Sequence, residues 1–152
     1  MNDWMIEAWN STVGRTDRVF VLGDFGYRDS KPGCRPLSEI FEALTGRKHL
    51  IVGNHDEKNR DVLKLGWETQ THLGTVRDEG RKAVVCHYPL ETWKYPQRYA
   101  MLHGHSHGTL KRKMPRRQDV GVDVIGYEPI EFIPLVDRLM STDFVATDHH
   151  GD

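Results

Sequence analysis

Cysteine and an excess of one charge are what this sequence most clearly lacks. Its 152 residues include two cysteines, Cys34 and Cys86, which are too few for a disulfide scaffold. Lys and Arg number 21 and Asp and Glu 22, so the formal net charge of −1 gives no overall attraction to nucleic acid or anionic lipid. No apolar stretch is long enough to span a bilayer, and the first residues lack the basic region of a secretion signal. We therefore expect a cytoplasmic protein with no membrane partner.

The composition is that of a folding chain rather than a disordered one. Hydrophobic residues make up 38% and charged residues 28% of the sequence. The length suits one domain, and neither a repeat nor a linker divides it. We predict a single domain over residues 1–146 and a disordered tail over residues 147–152. The unusual component is histidine, because four of the nine histidines fall between residues 87 and 107.

Short apolar runs alternate with segments that have helical spacing. The runs predict strands buried on both faces, at residues 19–22, 49–52, 83–86 and 99–102. Apolar periodicity and capping residues predict helices over residues 1–9, 38–44 and 57–65. Further along, residues 119–123 suit a strand, and residues 131–140 suit a strand or a helix interrupted by Pro134. This alternation predicts an α/β architecture with some parallel pairing.

Side chains that bind metals follow each of the four predicted strands. In chain order they are Asp24, Asn54, His55, His87, His105 and His107. Because ligands bind beyond the carboxyl ends of strands in open α/β sheets, we expect these residues to converge at one edge. A Gly-Asp pair alone is more often a turn, but three histidines within residues 103–107 favour a ligand role. Carboxylate, amide and imidazole groups together suit Mn, Fe, Zn or Mg.

These motifs, in this order, resemble those of the calcineurin-like metallophosphoesterases. The resemblance is carried by Gly23-Asp24, Gly53-Asn54-His55-Asp56, His87 and Gly104-His105-Ser106-His107, and it extends over about residues 2–129. Within that superfamily the sequence looks most like the small bacterial and phage phosphoesterases. The resemblance implies two packed mixed β-sheets flanked by helices.

The resemblance also implies a role for each motif residue. Two divalent ions, drawn from Mn, Fe, Zn, Ni and Mg, would be bound, with Asp24 bridging them. Asn54, His87 and His105 would complete the shell of the second ion, and His107 would bind the first. His55 would stand beside the leaving group, oriented by Asp56. The implied reaction is hydrolysis of a phosphomonoester or phosphodiester, in a nucleotide, a nucleic acid or another phosphoester, by in-line attack of a metal-bound hydroxide.

One family motif has no counterpart in this sequence. The family begins with a strand that ends in Asp-x-His and supplies two ligands to the first ion, whereas this sequence has no Asp-x-His near its start. Three explanations are open: the true start lies upstream, this chain holds only one ion, or another residue such as Asp123 fills the gap. Loss of a central strand would expose sheet edges and leave a cavity. The alternative function is therefore a weakly active or non-catalytic protein that serves as a binding scaffold.

Two other features offer alternatives to this interpretation. Gly104-His105-Ser106-His107-Gly108 also fits the nucleophile elbow of serine hydrolases, with Ser106 as the nucleophile, if a helix follows it. Residues 111–117 contain five basic side chains that either attract a phosphorylated substrate or form a solvated hairpin tip. Cys86, directly before His87, is predicted to lie in the core.

Overall fold

Three parallel strands form the first of two sheets. They are β1 (Arg18–Val21), β2 (Arg47–Ile51) and β3 (Thr69–Thr71), hydrogen-bonded in that order. The computed structural model describes residues 3–26 and 35–145, so Cys34 and the predicted tail at 147–152 lie outside the described residues. Within the described chain, β1 is an edge strand, paired with β2 through Arg18↔Arg47 to Val21↔Leu50.

Four strands form the second sheet, which mixes both pairing directions. Its strands are β4 (Leu73–Asp78), β5 (Arg81–Cys86), β6 (Ala100–His103) and β7 (Arg117–Asp119), in that spatial order. A tight turn at Glu79-Gly80 joins β4 to β5 in an antiparallel hairpin, whereas β5, β6 and β7 are parallel. The α/β architecture with two sheets and flanking helices is therefore as predicted.

Five helices connect and cover the sheets. They are α1 (Asp3–Thr12), α2 (Leu37–Ala43), α3 (Arg60–Leu63), α4 (Val122–Ile125) and α5 (Phe132–Met140), with a single 3₁₀ turn at Asp56–Lys58. Pro134 lies in the first turn of α5, where its missing N–H has no intrahelical partner to lose, so this segment is helical. Among the described residues, no helix combines the length and apolar character needed to span a bilayer.

The core consists of three layers of apolar contacts. Helices α1 to α3 pack on one face of the first sheet, through residues such as Ile6, Phe41, Leu50 and Val62. The second cluster fills the space between the two sheets and α5. The third lies on the outer face of the second sheet, where Cys86 is buried as predicted.

The four apolar runs form strands within one or two residues of their predicted bounds, but other elements differ. The predicted strand at 119–123 is wrong, because β7 ends at Asp119 and α4 begins at Val122. The predicted helix at 57–65 is interrupted at Asn59, whose side chain caps α3 by accepting from the N–H of Asp61. In α1, Ile6 is the buried residue, whereas Trp4 is half exposed and packs edge-on against Tyr127.

Candidate metal centre

The loops that follow β1, β2, β5 and β6 meet at one edge of the two sheets. They carry Asp24, Asn54, His87 and His105, respectively, so the convergence predicted from the strand ends is present for these four residues. Three of the predicted site residues adopt a left-handed backbone, with φ of +57° at Asp24, +65° at His105 and +47° at His107. Such conformations are unfavourable for residues other than glycine and cluster at functional sites.

Four side chains point their polar atoms at one another. The Nε2 of His87 lies 3.1 Å from Asn54 Oδ1, 3.4 Å from Asp24 Oδ2 and 3.2 Å from His105 Nδ1. Potential ligand atoms of Asp24, His87 and His105 all lie within 4.8 Å of one another. The His87 side chain is almost completely buried, Asp24 is half-buried and His105 is exposed, so the cluster opens to solvent on one side.

The tautomer of His87 explains why this cluster suits a cation. The Nδ1 of His87 lies 2.7 Å from the carbonyl oxygen of Leu22, and a carbonyl can only accept, so Nδ1 carries the hydrogen. In the neutral ring, Nε2 therefore presents a lone pair to the oxygens of Asn54 and Asp24, which are also electron-pair donors. A cation at this point accepts electron pairs from the His87 nitrogen and from the oxygens of Asn54 and Asp24. A backbone carbonyl that fixes the free nitrogen of a ligating histidine is the usual arrangement around protein-bound metals.

Asp56 ties two of the loops together. Its Oδ2 accepts hydrogen bonds from the N–H groups of Asp24 (2.7 Å) and Gly53 (2.9 Å), and its Oδ1 accepts one from Phe25 (3.0 Å). The residue is completely buried. These three bonds hold Asp24 beside the loop after β2. The role of orienting His55, which the family resemblance implies for Asp56, stays a prediction.

Two glycines allow these loops to approach closely. Gly23 has a φ of +92°, and a Cβ at this position would lie 2.8 Å from His87 Cγ and from the Cα of Gly53, and closer still to His87 Nδ1. A Cβ on Gly53 would lie 2.8 Å from the backbone nitrogen of Asp24. Any side chain at either position would push apart the loops that carry the ligands.

His55 and His107 lie at the margin of the cluster. The backbone N–H of His55 donates to Asp24 Oδ1 at 2.9 Å, and its side chain is exposed. The Nδ1 of His107 pairs with Asp123 Oδ2 at 2.6 Å, and a hydrogen bond from the ring to this carboxylate raises the pKa of His107 above its usual value. His107 is not within the cluster that Asp24, His87 and His105 form. Asp123 thus enters the region as a partner of His107.

Tyr88 was not singled out from the sequence but packs on two histidines of the cluster. Its ring lies edge-on to His87 at 5.1 Å and to His105 at 4.8 Å between centroids. It is partly exposed, so it forms an aromatic wall at the open side of the cluster. The only sequence signal for this role is its position directly after His87.

The structure bears on two features that offered alternatives, the Ser106 motif and the basic segment at residues 111–117. No helix follows Ser106 before β7, whereas a nucleophile elbow requires one. In the basic segment, Arg116 and Arg117 donate to backbone carbonyl groups, and Arg112 forms an ion pair with Glu91. These three arginines are engaged within the fold, which does not support the predicted basic patch as a phosphate-attracting surface.

No protein-family model matches this chain. It is 32% identical over 152 aligned positions to the Gene 66 protein of Mycobacterium phage L5, and the match covers 80% of this chain and 73% of that protein. It is 27% identical over 147 positions to the Gene 66 protein of Mycobacterium phage D29, with 78% and 73% covered. Among solved structures it is similar to the protein of unknown function AQ665 from Aquifex aeolicus, with a TM-score of 0.68 and 23% identity, covering 90% of this chain and 83% of that one.

The structural similarity defines the class of fold, an α/β protein with two sheets flanked by helices. The identity to the mycobacteriophage L5 Gene 66 protein, 32%, is higher than the 23% identity to the solved structure. This chain belongs to the family of that Gene 66 protein.

Proposed function

We propose that this protein is a calcineurin-like metallophosphoesterase that hydrolyses a phosphomonoester or phosphodiester. The observation that carries the proposal is the convergence of Asn54 Oδ1, Asp24 Oδ2 and His105 Nδ1 on the lone pair of His87 Nε2. These atoms come from four loops, and in the neutral His87 ring described above three of them, Asn54 Oδ1, Asp24 Oδ2 and His87 Nε2, are electron-pair donors that face one another. An oxygen and nitrogen donor set of this kind fits a divalent transition metal or Mg²⁺.

A bound divalent cation supplies Lewis acidity, which makes water more acidic and neutralises charge on the phosphoryl oxygens. The chain contributes the arrangement around it. Leu22 fixes the His87 ring with Nε2 facing inward, and Asp56 fixes the backbone of Asp24. Because these supports are made by backbone groups, the site is organised before a substrate binds.

In this proposal, two histidines at the margin of the cluster act on the phosphoester. The exposed ring of His55 can give a proton to the leaving oxygen, which is the role that the family resemblance implies for it. His107 is held through Nδ1 by Asp123, so its Nε2 remains available to a second cation or to a phosphoryl oxygen. The aromatic ring of Tyr88 closes the site beside His105.

The test compares His55→Ala and His87→Ala with His72→Ala, an exposed histidine that pairs with Glu57 and is not a member of the cluster. Turnover of p-nitrophenyl phosphate and bis(p-nitrophenyl) phosphate is measured after loading with Mn²⁺, together with bound metal. We expect His55→Ala to lower turnover by about 10²-fold or more and to keep its metal. His87→Ala loses the metal itself, and His72→Ala behaves like the parent. Parent-like turnover and metal content in both site variants would disprove the proposal.

The second candidate function is a binding scaffold that does not hydrolyse phosphoesters. The composition of the cluster favours it. Four described side chains surround one ion position, whereas of the ligands that the family scheme gives to the other ion the described chain has only Asp24 and His107. One bound ion per chain, with no hydrolysis of either test ester, would favour this candidate. Two bound ions with turnover would exclude it.

A further inference from the structure

The ring of His105 has less hydrogen-bond support than the ring of His87, the other histidine of the cluster. His87 is fixed by the carbonyl oxygen of Leu22, which lies 2.7 Å from its Nδ1. Within the described chain, the polar contact of the His105 side chain is that of its Nδ1 with His87 Nε2, at 3.2 Å. No carbonyl or carboxylate group among the described residues therefore fixes the His105 ring, although such a group usually fixes a ligating histidine.

The contact between the two histidines uses the lone pair that a cation would use. Because the Nδ1 of His87 carries the hydrogen, its Nε2 can only accept, so the Nδ1 of His105 donates in the neutral pair. A cation held by His87 Nε2 takes up that lone pair and ends this hydrogen bond. His105 then stays in the centre only if another contact fixes its ring.

The backbone of His105 is held separately from its ring. The N–H of Gly104 donates to the carbonyl oxygen of His87 at 3.1 Å, and the N–H of Ser106 donates to that of Gly104 at 2.7 Å. Between them, His105 has a φ of +65° and is exposed. An exposed histidine on such a turn keeps the freedom of its two side-chain torsions unless a neighbouring side chain packs on it.

Tyr88 is the neighbour that packs on His105 from the open side. Its ring centroid lies 4.8 Å from that of His105 at an interplanar angle of 67°, and 5.1 Å from that of His87 at 75°. The two histidine rings are themselves 5.0 Å apart, so each of the three rings contacts the other two. Edge-to-face packing of this kind does not require a nitrogen lone pair, so it leaves the histidine nitrogens available.

We propose that Tyr88 is a positioning residue, which holds the ring of His105 in the candidate metal centre by aromatic packing. It does for His105 what the Leu22 carbonyl group does for His87. The ring of Tyr88 has this role, because its hydroxyl group has no hydrogen-bond partner among the described residues. The inference rests on the metal centre of the proposed function, and it adds the residue that fixes the exposed histidine of that centre.

The test titrates Co²⁺, a spectroscopic substitute for other first-row divalent ions, into the full chain and its variants. The titration gives the Kd and the visible absorption of the bound ion, and the Tm of each metal-free protein is measured beside it. We expect Tyr88→Ala to raise the Kd by about tenfold or more and to change the spectrum, because a nitrogen ligand is no longer held in place. Tyr88→Phe keeps the ring and should match the parent. The control is Tyr95→Ala, which removes an exposed tyrosine that packs on Tyr99 and should also match the parent.

A double-mutant cycle tests whether Tyr88 acts through His105. In a His105→Ala background, Tyr88→Ala should change the Kd for Co²⁺ by less than about twofold. An equal loss of affinity in both backgrounds would overturn the proposal, as would an equal loss in Tyr88→Phe. A lower Tm for Tyr88→Ala with the affinity and spectrum of the parent would refute this proposal alone and leave the metal centre standing. A parent chain that binds no Co²⁺ would refute the metal centre, and this proposal with it.

Discussion

Replacing Asp56 with Asn tests whether this buried carboxylate organises the candidate centre. The substitution keeps the shape of the side chain but removes its charge and turns one acceptor oxygen into an NH₂ group. In the more favourable orientation, the NH₂ group faces the N–H of Phe25, and the remaining oxygen still accepts from Asp24 and Gly53. One donor then loses its partner, and two charge-assisted hydrogen bonds become neutral ones.

The expected loss of unfolding free energy follows from these three hydrogen bonds. An unsatisfied donor destabilises by about 1–3 kcal/mol, and weakening of two charge-assisted bonds adds about 1 kcal/mol, so we expect a total of about 3 kcal/mol. For a chain of this size that corresponds to a fall of roughly 6–12 °C in Tm. Urea denaturation followed by tryptophan fluorescence measures the difference. The control is Asp61→Asn, an exposed carboxylate on the next helix, which should stay within about 0.5 kcal/mol of the parent. A difference of less than 0.5 kcal/mol for Asp56→Asn would refute the role assigned to Asp56.

Two further predictions concern groups away from the centre. Burial lowers the pKa of His49, whose Nε2 has no hydrogen-bond partner within the described chain, while the unfolded chain takes up a proton near the ordinary value. The free energy of unfolding is therefore highest above about pH 6.5 and declines as the pH falls below that value. Urea midpoints at pH 8, 6.5 and 5.5 should show this decline. We expect the decline to be less steep in His49→Gln and the same as in the parent in His72→Gln. Arg116 donates to four backbone carbonyl oxygens from two segments, so Arg116→Met should destabilise by about 2–4 kcal/mol, whereas the exposed Arg98→Met should not. Equal urea midpoints for the two arginine variants would show that these bonds contribute little.

The strands that were predicted correctly, and the four side chains that the structure brings together, are those with a local signal. Apolar runs followed directly by Gly and a polar residue mark both a buried strand and its carboxyl end, so Asp24, Asn54, His87 and His105 were identified from sequence. The strand β3 has the exposed sequence Thr-Gln-Thr and exists because it pairs with β2, a partner that its own sequence does not indicate.

The role of Asp56 shows what adjacency in sequence cannot reveal. It follows His55 directly, and the family resemblance implies that it orients His55. The partners that its carboxylate has in the structure include Asp24 and Phe25, which are 32 and 31 residues away and come into range only when β1 and β2 pair. The partners of a buried charge depend on the tertiary structure, so a motif identifies the residue type but not its bonds.

We propose that Asp24, Asn54, His87 and His105 bind a divalent cation together. Anomalous diffraction at the manganese edge, from crystals of the full chain soaked in Mn²⁺, tests this binding. We expect a peak about 2.0–2.3 Å from the His87 Nε2 and within coordinating distance of Asp24 and Asn54. Crystals that bind manganese elsewhere, or not at all, while these four side chains keep their positions would contradict it.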